Sequence, residues 1–271
     1  MRYRAVISYL GTRYVGWQRQ LNGLSVQEVL EKALTKAIGA PVQTTASGRT
    51  DAGVHALGQV VHFDADTTIP TEKIPFAVNA LLPDDVSMLF CEVADDGFNA
   101  RFSAKRKTYC YKLYLSKHKR PLLEPTHEHI VVPLDLTKMQ ECARAIEGEH
   151  DFKCFEASGS IVKNTVRTIY GIKIECKPFE TQDGISEKSD ILNGQNAQYS
   201  DNRIFDAEVL VSVEGNGFLY NMVRIIAGTL VYAGLGKLSV ADVEKALQNG
   251  DRKSMGKTLS AKGLHLISVI Y

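Results

Sequence analysis

Residues 46–60 read ASGRTDAGVHALGQV. Gly48, Gly53 and Gly58 weaken a helix, and Arg49, Thr50, Asp51 and His55 are too polar for a buried strand. The stretch is therefore expected as a loop, entered by a short strand over VQTTAS (42–47) and left by a strand over QVVHF (59–63). It sets one carboxylate, Asp51, between two basic side chains. On the residues alone, three readings of that carboxylate compete. Asp51 closes a turn, because Asp and Gly both favour tight backbone geometry. Or it joins His55 and His62 around a metal, although nothing nearby completes a familiar ligand set. Or it is a catalytic carboxylate, with glycines that let backbone approach a substrate and with Arg49 to orient the acid or hold a phosphate.

Outward from the loop, RYRAVISYL (2–10) alternates like a half-buried strand. GTRYVGWQRQLNG (11–23) reads as a polar loop carrying the single tryptophan, Trp17. Ser25 followed by Glu28 has the form of a capping box, with Val26, Val29, Leu30, Ala33, Leu34 and Ala37 on one helical face and Gly39 as the stop. A short helix over 72–82 and strands over 86–93 and 107–115 follow. The second half repeats the style, with an amphipathic helix over 136–147 and a strand over 165–176. After it come a strand over 204–213, helices over 218–233 and 240–248, and a closing strand LHLISVI. Residues 178–203 are polar and are expected as a mobile surface insertion. Strands paired with helices twice over predict an α+β protein, not the regular alternation of a doubly wound sheet. No G-x-G-x-x-G or P-loop is present, so neither a dinucleotide nor a nucleoside triphosphate is indicated.

Composition narrows the classes further. A chain of 271 residues with 44% hydrophobic and 23% charged residues is an ordinary globular sequence. No apolar run is long enough for a membrane span, and MRYRAVISYL lacks the apolar core of a secretory leader. The five cysteines are widely spaced, without a C-x-x-C pair, which argues against a disulfide framework or a zinc site and for a reducing cytoplasm. His127 and His129 form an H-x-H pair that a surface loop beside Pro125 and Pro133 explains as well as a metal does.

The net charge of +1 conceals a separation. Residues 97–123 contain no acid, yet hold Arg101, Lys105, Arg106, Lys107, Lys112, Lys117, Lys119 and Arg120. Phe98, Phe102, Tyr109, Tyr111 and Tyr114 are interleaved with them. Charges that meet phosphates beside rings that stack on bases are the footprint of an RNA face. A solvated basic strand reads the same way, so the stretch alone leaves both open.

GRTDAGVHA (48–56) resembles the catalytic loop of the TruA-type tRNA pseudouridine synthases. YVGWQRQ (14–20) and SVQEVLEKAL (25–34) resemble that family's N-terminal stretch. ARFSAKRKTYCY (100–111) is similar to its second motif, GFLYNMVRIIAGTL (217–230) to its third, and AKGLHLISV (261–269) to its closing strand. The resemblance covers essentially the whole chain; the main departure is the insertion at 178–203. It implies that Asp51 is the catalytic aspartate, Tyr109 the tyrosine that packs on the target uracil, Arg224 the arginine that pairs with the aspartate, and Arg49 the arginine associated with displacing the target base. It also implies tRNA as substrate, at anticodon stem-loop uridines 38, 39 and 40, a homodimer in the cytoplasm, and no cofactor or metal. The implied fold has two similar α/β halves, 1–104 and 105–271, around a largely antiparallel mixed sheet with a central cleft. Arg101, Lys105, Arg106 and Lys107 are expected to contact RNA.

The residue chemistry is compatible with these roles. Converting uridine to pseudouridine breaks the N1–C1′ bond, turns the uracil and rejoins it through C5, with no redox change and no donor group. An ionised carboxylate must attack or assist, and a neighbouring arginine favours that form. The nucleotide must leave its stack, and an aromatic face such as Tyr109 offsets part of that cost. The Tyr109 hydroxyl is also a candidate for removing the C5 proton. Arg224 stands among Met222, Val223, Ile225 and Ile226, where a guanidinium demands a partner. His55 and His62 are not needed by this chemistry and are expected to be structural. Two other classes use parts of the same sequence. A silent tRNA-binding module needs the basic stretch but not Asp51, and a nucleoside hydrolase needs a second acid, for which Asp64 and Asp66 are the nearby candidates.

Overall fold

The computed structural model describes residues 1–159, 162–179 and 203–271. In chain order the elements are β1 (Arg2–Tyr9), α1 (Val26–Ile38), β2 (Thr45–Ala46), β3 (His55–Asp64), α2 (Ile74–Asn79), β4 (Val86–Val93), β5 (Arg106–Leu115), β6 (Glu128–Ile130), β7 (Leu134–Asp135), α3 (Leu136–Ile146), β8 (Gly148–Asp151), β9 (Val166–Pro178), β10 (Arg203–Ile204), β11 (Ala207–Gly215), α4 (Met222–Gly234), α5 (Val240–Asn249) and β12 (Leu264–Ile270). They fall into two compact units. The first comprises Met1–Cys110, Glu214–Gly217 and Ser260–Tyr271; the second comprises Tyr111–Val213 and Phe218–Leu259. The expected insertion, apart from its first two residues and its last, lies outside the described residues.

In the first unit the strand order is β4-β1-β3-β12-β5, with β2 on β3. β1 runs antiparallel to both β3 and β4, while β12 is parallel to β3, with His265 opposite His55. Strict alternation in β1 buries Tyr3, Ala5, Ile7 and Tyr9 on one face. α1 covers the core with Val26, Leu30, Ala33 and Leu34, each buried valine or leucine contributing about 1.5–3 kcal/mol. Ser25 caps α1 by accepting the Glu28 N–H at 3.2 Å, and Gly39 at φ 82° ends it in the left-handed conformation expected of a glycine stop. The helix expected over 72–82 is shorter, a single turn of 3₁₀ helix followed by α2. Asn79 ends it by turning its side chain to the backbone of Met88, accepting the N–H at 2.8 Å and donating to the carbonyl at 2.9 Å.

In the second unit β5 continues into the order β5-β11-β9-β8, with β6 parallel to β5 and a separate β10-β7 pair. α3 buries Met139, Cys142, Ala143 and Ile146, and α5 buries Val243, Ala246 and Leu247. α4 is apolar nearly all round and is the most buried helix of this unit. Gly228 lets the backbone at Lys257 approach α4; a Cβ there would lie 1.9 Å from the Lys257 carbonyl oxygen. β6, β7 and β8, of two to four residues each, have no counterpart in the sequence reading.

Candidate active site

The Asp51 loop is an ordered structure fixed from several directions within the first unit. At its entry, Ser47 N–H donates to Val60 O at 2.8 Å and Ser47 Oγ to Gln59 Oε1 at 2.7 Å. Gln59 returns Nε2 to Gly48 O at 2.8 Å. In the middle, the hydroxyls of Thr50 and Tyr9 lie 2.8 Å apart, and Trp17 N–H donates to Thr50 O at 3.0 Å. Gly53 N–H reaches Tyr14 O, and Val54 N–H closes onto Asp51 O at 3.1 Å. Gly16 explains how YVGWQ comes so close. Its φ is 109°, and a Cβ there would stand 2.6 Å from Thr50 O. Asp51 itself is half-buried, and Arg49 beside it is exposed. With its backbone held this way, the loop presents its carboxylate without a large ordering cost when a substrate arrives.

Tyr109, on the part of β5 that belongs to the first unit, is buried at 8% exposure. Burial raises its pKa well above the usual phenol range, with Tyr9 and the Asp51 carboxylate adding to the shift. Asp51 and Tyr109 are thus within electrostatic reach of each other. Tyr9, pushed up to about 12 by burial, completes a group of protonated hydroxyls around the loop.

The basic residues separate by position. Arg101, Lys105 and Arg106 are exposed, and Arg106 pairs with Glu214 at 2.9 Å. Lys107 points inward and donates from Nζ to Ser47 O at 2.5 Å, beside Gly48. Burial, with Arg101 nearby, lowers its pKa to about 8. Lys107 therefore supports the loop backbone directly.

Arg224 lies in the second unit, in the first turn of α4. Its Nη1 donates to Asn221 Oδ1 at 2.5 Å and its Nε to Leu259 O at 2.7 Å. Asn221 adopts the left-handed conformation, φ 60°, as the N-cap, so α4 starts later than the sequence suggests. Both contacts orient the guanidinium.

His55 is buried; its Nδ1 accepts Gly11 N–H at 2.9 Å and its Nε2 faces Lys262 O at 3.0 Å, which fixes the Nε2–H tautomer. His62 Nδ1 accepts Ala100 N–H at 3.1 Å. Both act as structural pegs, and no cluster of three or more His, Cys, Asp or Glu arranged for a metal occurs among the described residues. His127 pairs with Glu208 at 2.9 Å, and His129 donates to Ser116 O at 2.7 Å. Asp64 is held by Arg2 in two 2.8 Å contacts, which keep its carboxyl below the usual range. A carboxylate so held does not serve as the protonated acid that glycoside hydrolysis needs. The supporting side chains Tyr9, Thr50 and Gln59 carried no sequence signal beyond strand alternation and loop polarity, whereas Gly16 stood in a stretch already singled out.

A family model described as tRNA pseudouridine synthase matches residues 5–103 and 142–271. The chain belongs to that family. It is 42% identical over 270 residues to tRNA pseudouridine synthase A of Ruminiclostridium cellulolyticum, covering 100% of this chain and 99% of the relative. The corresponding protein of Bacillus velezensis is 44% identical and that of Bacillus subtilis 41%, each covering 100% of this chain and 99% of the relative. The TruA-type resemblance and the α+β pseudouridine synthase fold expected from the sequence are both borne out. No helix among the described residues is long and apolar enough to cross a membrane.

Proposed function

We propose that this pseudouridine synthase isomerises uridine in tRNA with Asp51 as its catalytic carboxylate. Relatives named tRNA pseudouridine synthase A align over the full chain and support the reaction. The observation that carries the choice of residues is the Asp51 loop, fixed through Thr50, Gly48 and Ser47, with Tyr109 in electrostatic reach of the carboxylate. Asp51, ionised, attacks or assists as the N1–C1′ bond breaks; the freed uracil turns and rejoins through C5. Tyr109 offers its ring to the uracil, and its hydroxyl is the candidate for removing the C5 proton. Stacking on that ring is worth roughly 1–3 kcal/mol. Arg224 is assigned as the arginine that pairs with Asp51 on the resemblance of its stretch, and exposed Arg49 as the residue that helps displace the target base.

The finer parts of the reading rest on the same resemblance. The targets are uridines 38, 39 and 40 of the anticodon stem-loop, the working form is a homodimer, and the compartment is the cytoplasm. Arg101, Lys105 and Arg106 meet phosphates. Tritium release from tRNA labelled at uridine C5 tests the chemistry. Wild type is expected to release label without free uracil, and Asp51→Asn to fall by ~10³ or more while still binding tRNA. Turnover by Asp51→Asn at the wild-type rate would refute the assignment. Free uracil would point to a hydrolase, and binding without label release to a silent module.

A further inference from the structure

One exposed aromatic in the first unit has no role in the chemistry above. Phe102 is 79% exposed, at the tip of a turn over residues 99–103. The turn is rigid. Asn99 Oδ1 accepts the N–H groups of Arg101 at 2.9 Å and Phe102 at 3.1 Å, and Asn99 O accepts that of Ser103 at 2.9 Å. Its base is pinned as well. Ala100 N–H goes to His62 Nδ1, Ala100 O accepts the Tyr271 hydroxyl at 2.8 Å, and Arg2 donates to Asp96 O and Phe98 O. On leaving the turn, Lys105 N–H donates to Ile270 O at 2.8 Å. A mobile loop with a stray phenylalanine would not carry so many bonds.

The chemistry of the tip is specific. The Arg101 guanidinium lies 5.5 Å from the Phe102 ring centre, covering the ring from one side and leaving most of it to solvent. Exposed Lys105 follows three residues later, and residues 97–123 contain no acid. Arg101 also acts electrostatically on Lys107, whose ammonium rests on the Asp51 loop at Ser47. An apolar ring with a guanidinium over one face and an exposed lysine three residues along the chain suits a polyanion whose units carry flat faces. We infer that the Arg101–Phe102 tip is a stacking platform for an unpaired tRNA base outside the target uridine, with Arg101 and Lys105 taking the flanking phosphates. The platform rests on the reading of this chain as a tRNA-binding enzyme. It adds a second point of attachment that sets which nucleotide reaches Asp51. Because the turn is already ordered, little freedom is lost when the base docks.

The test uses the full chain, an unmodified tRNA transcript and four variants. Phe102→Ala is expected to weaken tRNA binding and raise KM by about 5- to 150-fold, the worth of one stacked base, while kcat stays within about twofold. Phe102→Tyr and Phe102→Trp are expected to retain wild-type affinity, and Phe102→Leu to fall between. Phe102→Trp also supplies a probe: its emission is expected to be quenched by tRNA, whereas the buried Trp17 serves as the background measured in wild type. Unchanged affinity for Phe102→Ala, or no tRNA-dependent quenching in Phe102→Trp, would overturn the proposal. So would a change in sedimentation mass for Phe102→Ala, which would make the ring a protein contact. Wild type that binds tRNA in a Phe102-dependent way but releases no tritium would sink the isomerase reading and leave the platform standing. Turnover indifferent to Phe102 would do the reverse.

Discussion

Residues 101–109 and 114–120 belong to one basic, aromatic run, yet the structure uses them in different ways. In the first stretch, Arg101, Phe102 and Lys105 face solvent, while Lys107 and Tyr109 turn inward to the Asp51 loop. In the second, Lys117 and Lys119 are exposed, while Tyr114 and Arg120 are engaged inside the protein. Tyr114 is wholly buried, donates its hydroxyl to Glu124, accepts Arg120 N–H at 3.3 Å, and stacks on His129 at 4.5 Å with the rings 8° from parallel. The Arg120 guanidinium sits 3.6 Å from the Phe179 ring centre. The difference teaches that interleaving in the sequence does not say which cations and rings stay open to a ligand: Arg101 and Phe102 lie against each other yet face solvent, whereas Tyr114 is buried and Arg120 is half-buried against Phe179.

The largest effect expected from this comparison separates its tyrosines. Tyr109→Ala removes the ring next to Asp51 and is expected to lower kcat/KM about 100-fold or more, with the fold intact by circular dichroism. That loss corresponds to about 3 kcal/mol of transition-state stabilisation, the upper end for one stacked base. Tyr109→Phe keeps the ring and isolates the hydroxyl; near-normal turnover would assign the work to stacking. Tyr114→Phe is expected to leave turnover unchanged and to lower stability by ~1–2 kcal/mol, because it deprives Glu124 and the Arg120 amide of a partner. A turnover defect in Tyr114→Phe as large as that of Tyr109→Ala would erase the distinction.

Lys107 gives an effect of intermediate size, and its sign follows from burial. Its pKa is about 8 in the folded protein, below the ordinary lysine value of 10.5. Between those values the unfolded chain binds more protons than the folded one, so this group makes stability rise as pH increases through that window. Below pH 8 both states carry the proton and the cost of the buried charge is fully present. Lys107→Arg does not titrate there. The urea midpoint of wild type relative to Lys107→Arg is therefore expected to climb from pH 7.5 to pH 10. A flat difference would mean that the ammonium is not desolvated on the Ser47 carbonyl.

Much of this was legible in the sequence, and the failures have physical causes. Long periodic elements were found because burial enforces their period: α1 with its Ser25 cap and Gly39 stop, β4 at its full range, and β5 to within a residue. β6, β7 and β8 are too short to carry a period. The start of α4 was misplaced because Asn221 leaves the helix in a left-handed conformation, which a propensity reading does not anticipate at asparagine inside an apolar run. At the candidate site, Asp51 and Tyr109 were singled out through their motifs. The role of Lys107 was not, because alternation along β5 says which side chains share a face and not which face meets Ser47. Gln59 and Tyr9 show the same limit, since their partners lie across strands and not along the chain.

The smallest effect tests whether arginines in the two stretches are interchangeable. Arg101 is exposed and Arg120 is half-buried against an aromatic ring. A phosphate contact made by arginine releases a counterion, so its removal lowers the steepness of the salt dependence by about one unit in a plot of log affinity against log salt. Arg101→Ala is expected to show that loss together with weaker binding. Arg120→Ala is expected to keep the wild-type slope and to bind tRNA within about twofold. Its cost appears instead in stability, as a lost cation–ring contact of about 0.5–2 kcal/mol, read as a melting temperature lower by about 2–4 °C for each kcal/mol. Equal loss of slope in both variants would mean that Arg120 leaves Phe179 for the phosphate, and that the internal pairing of the second stretch is exchanged for RNA on binding.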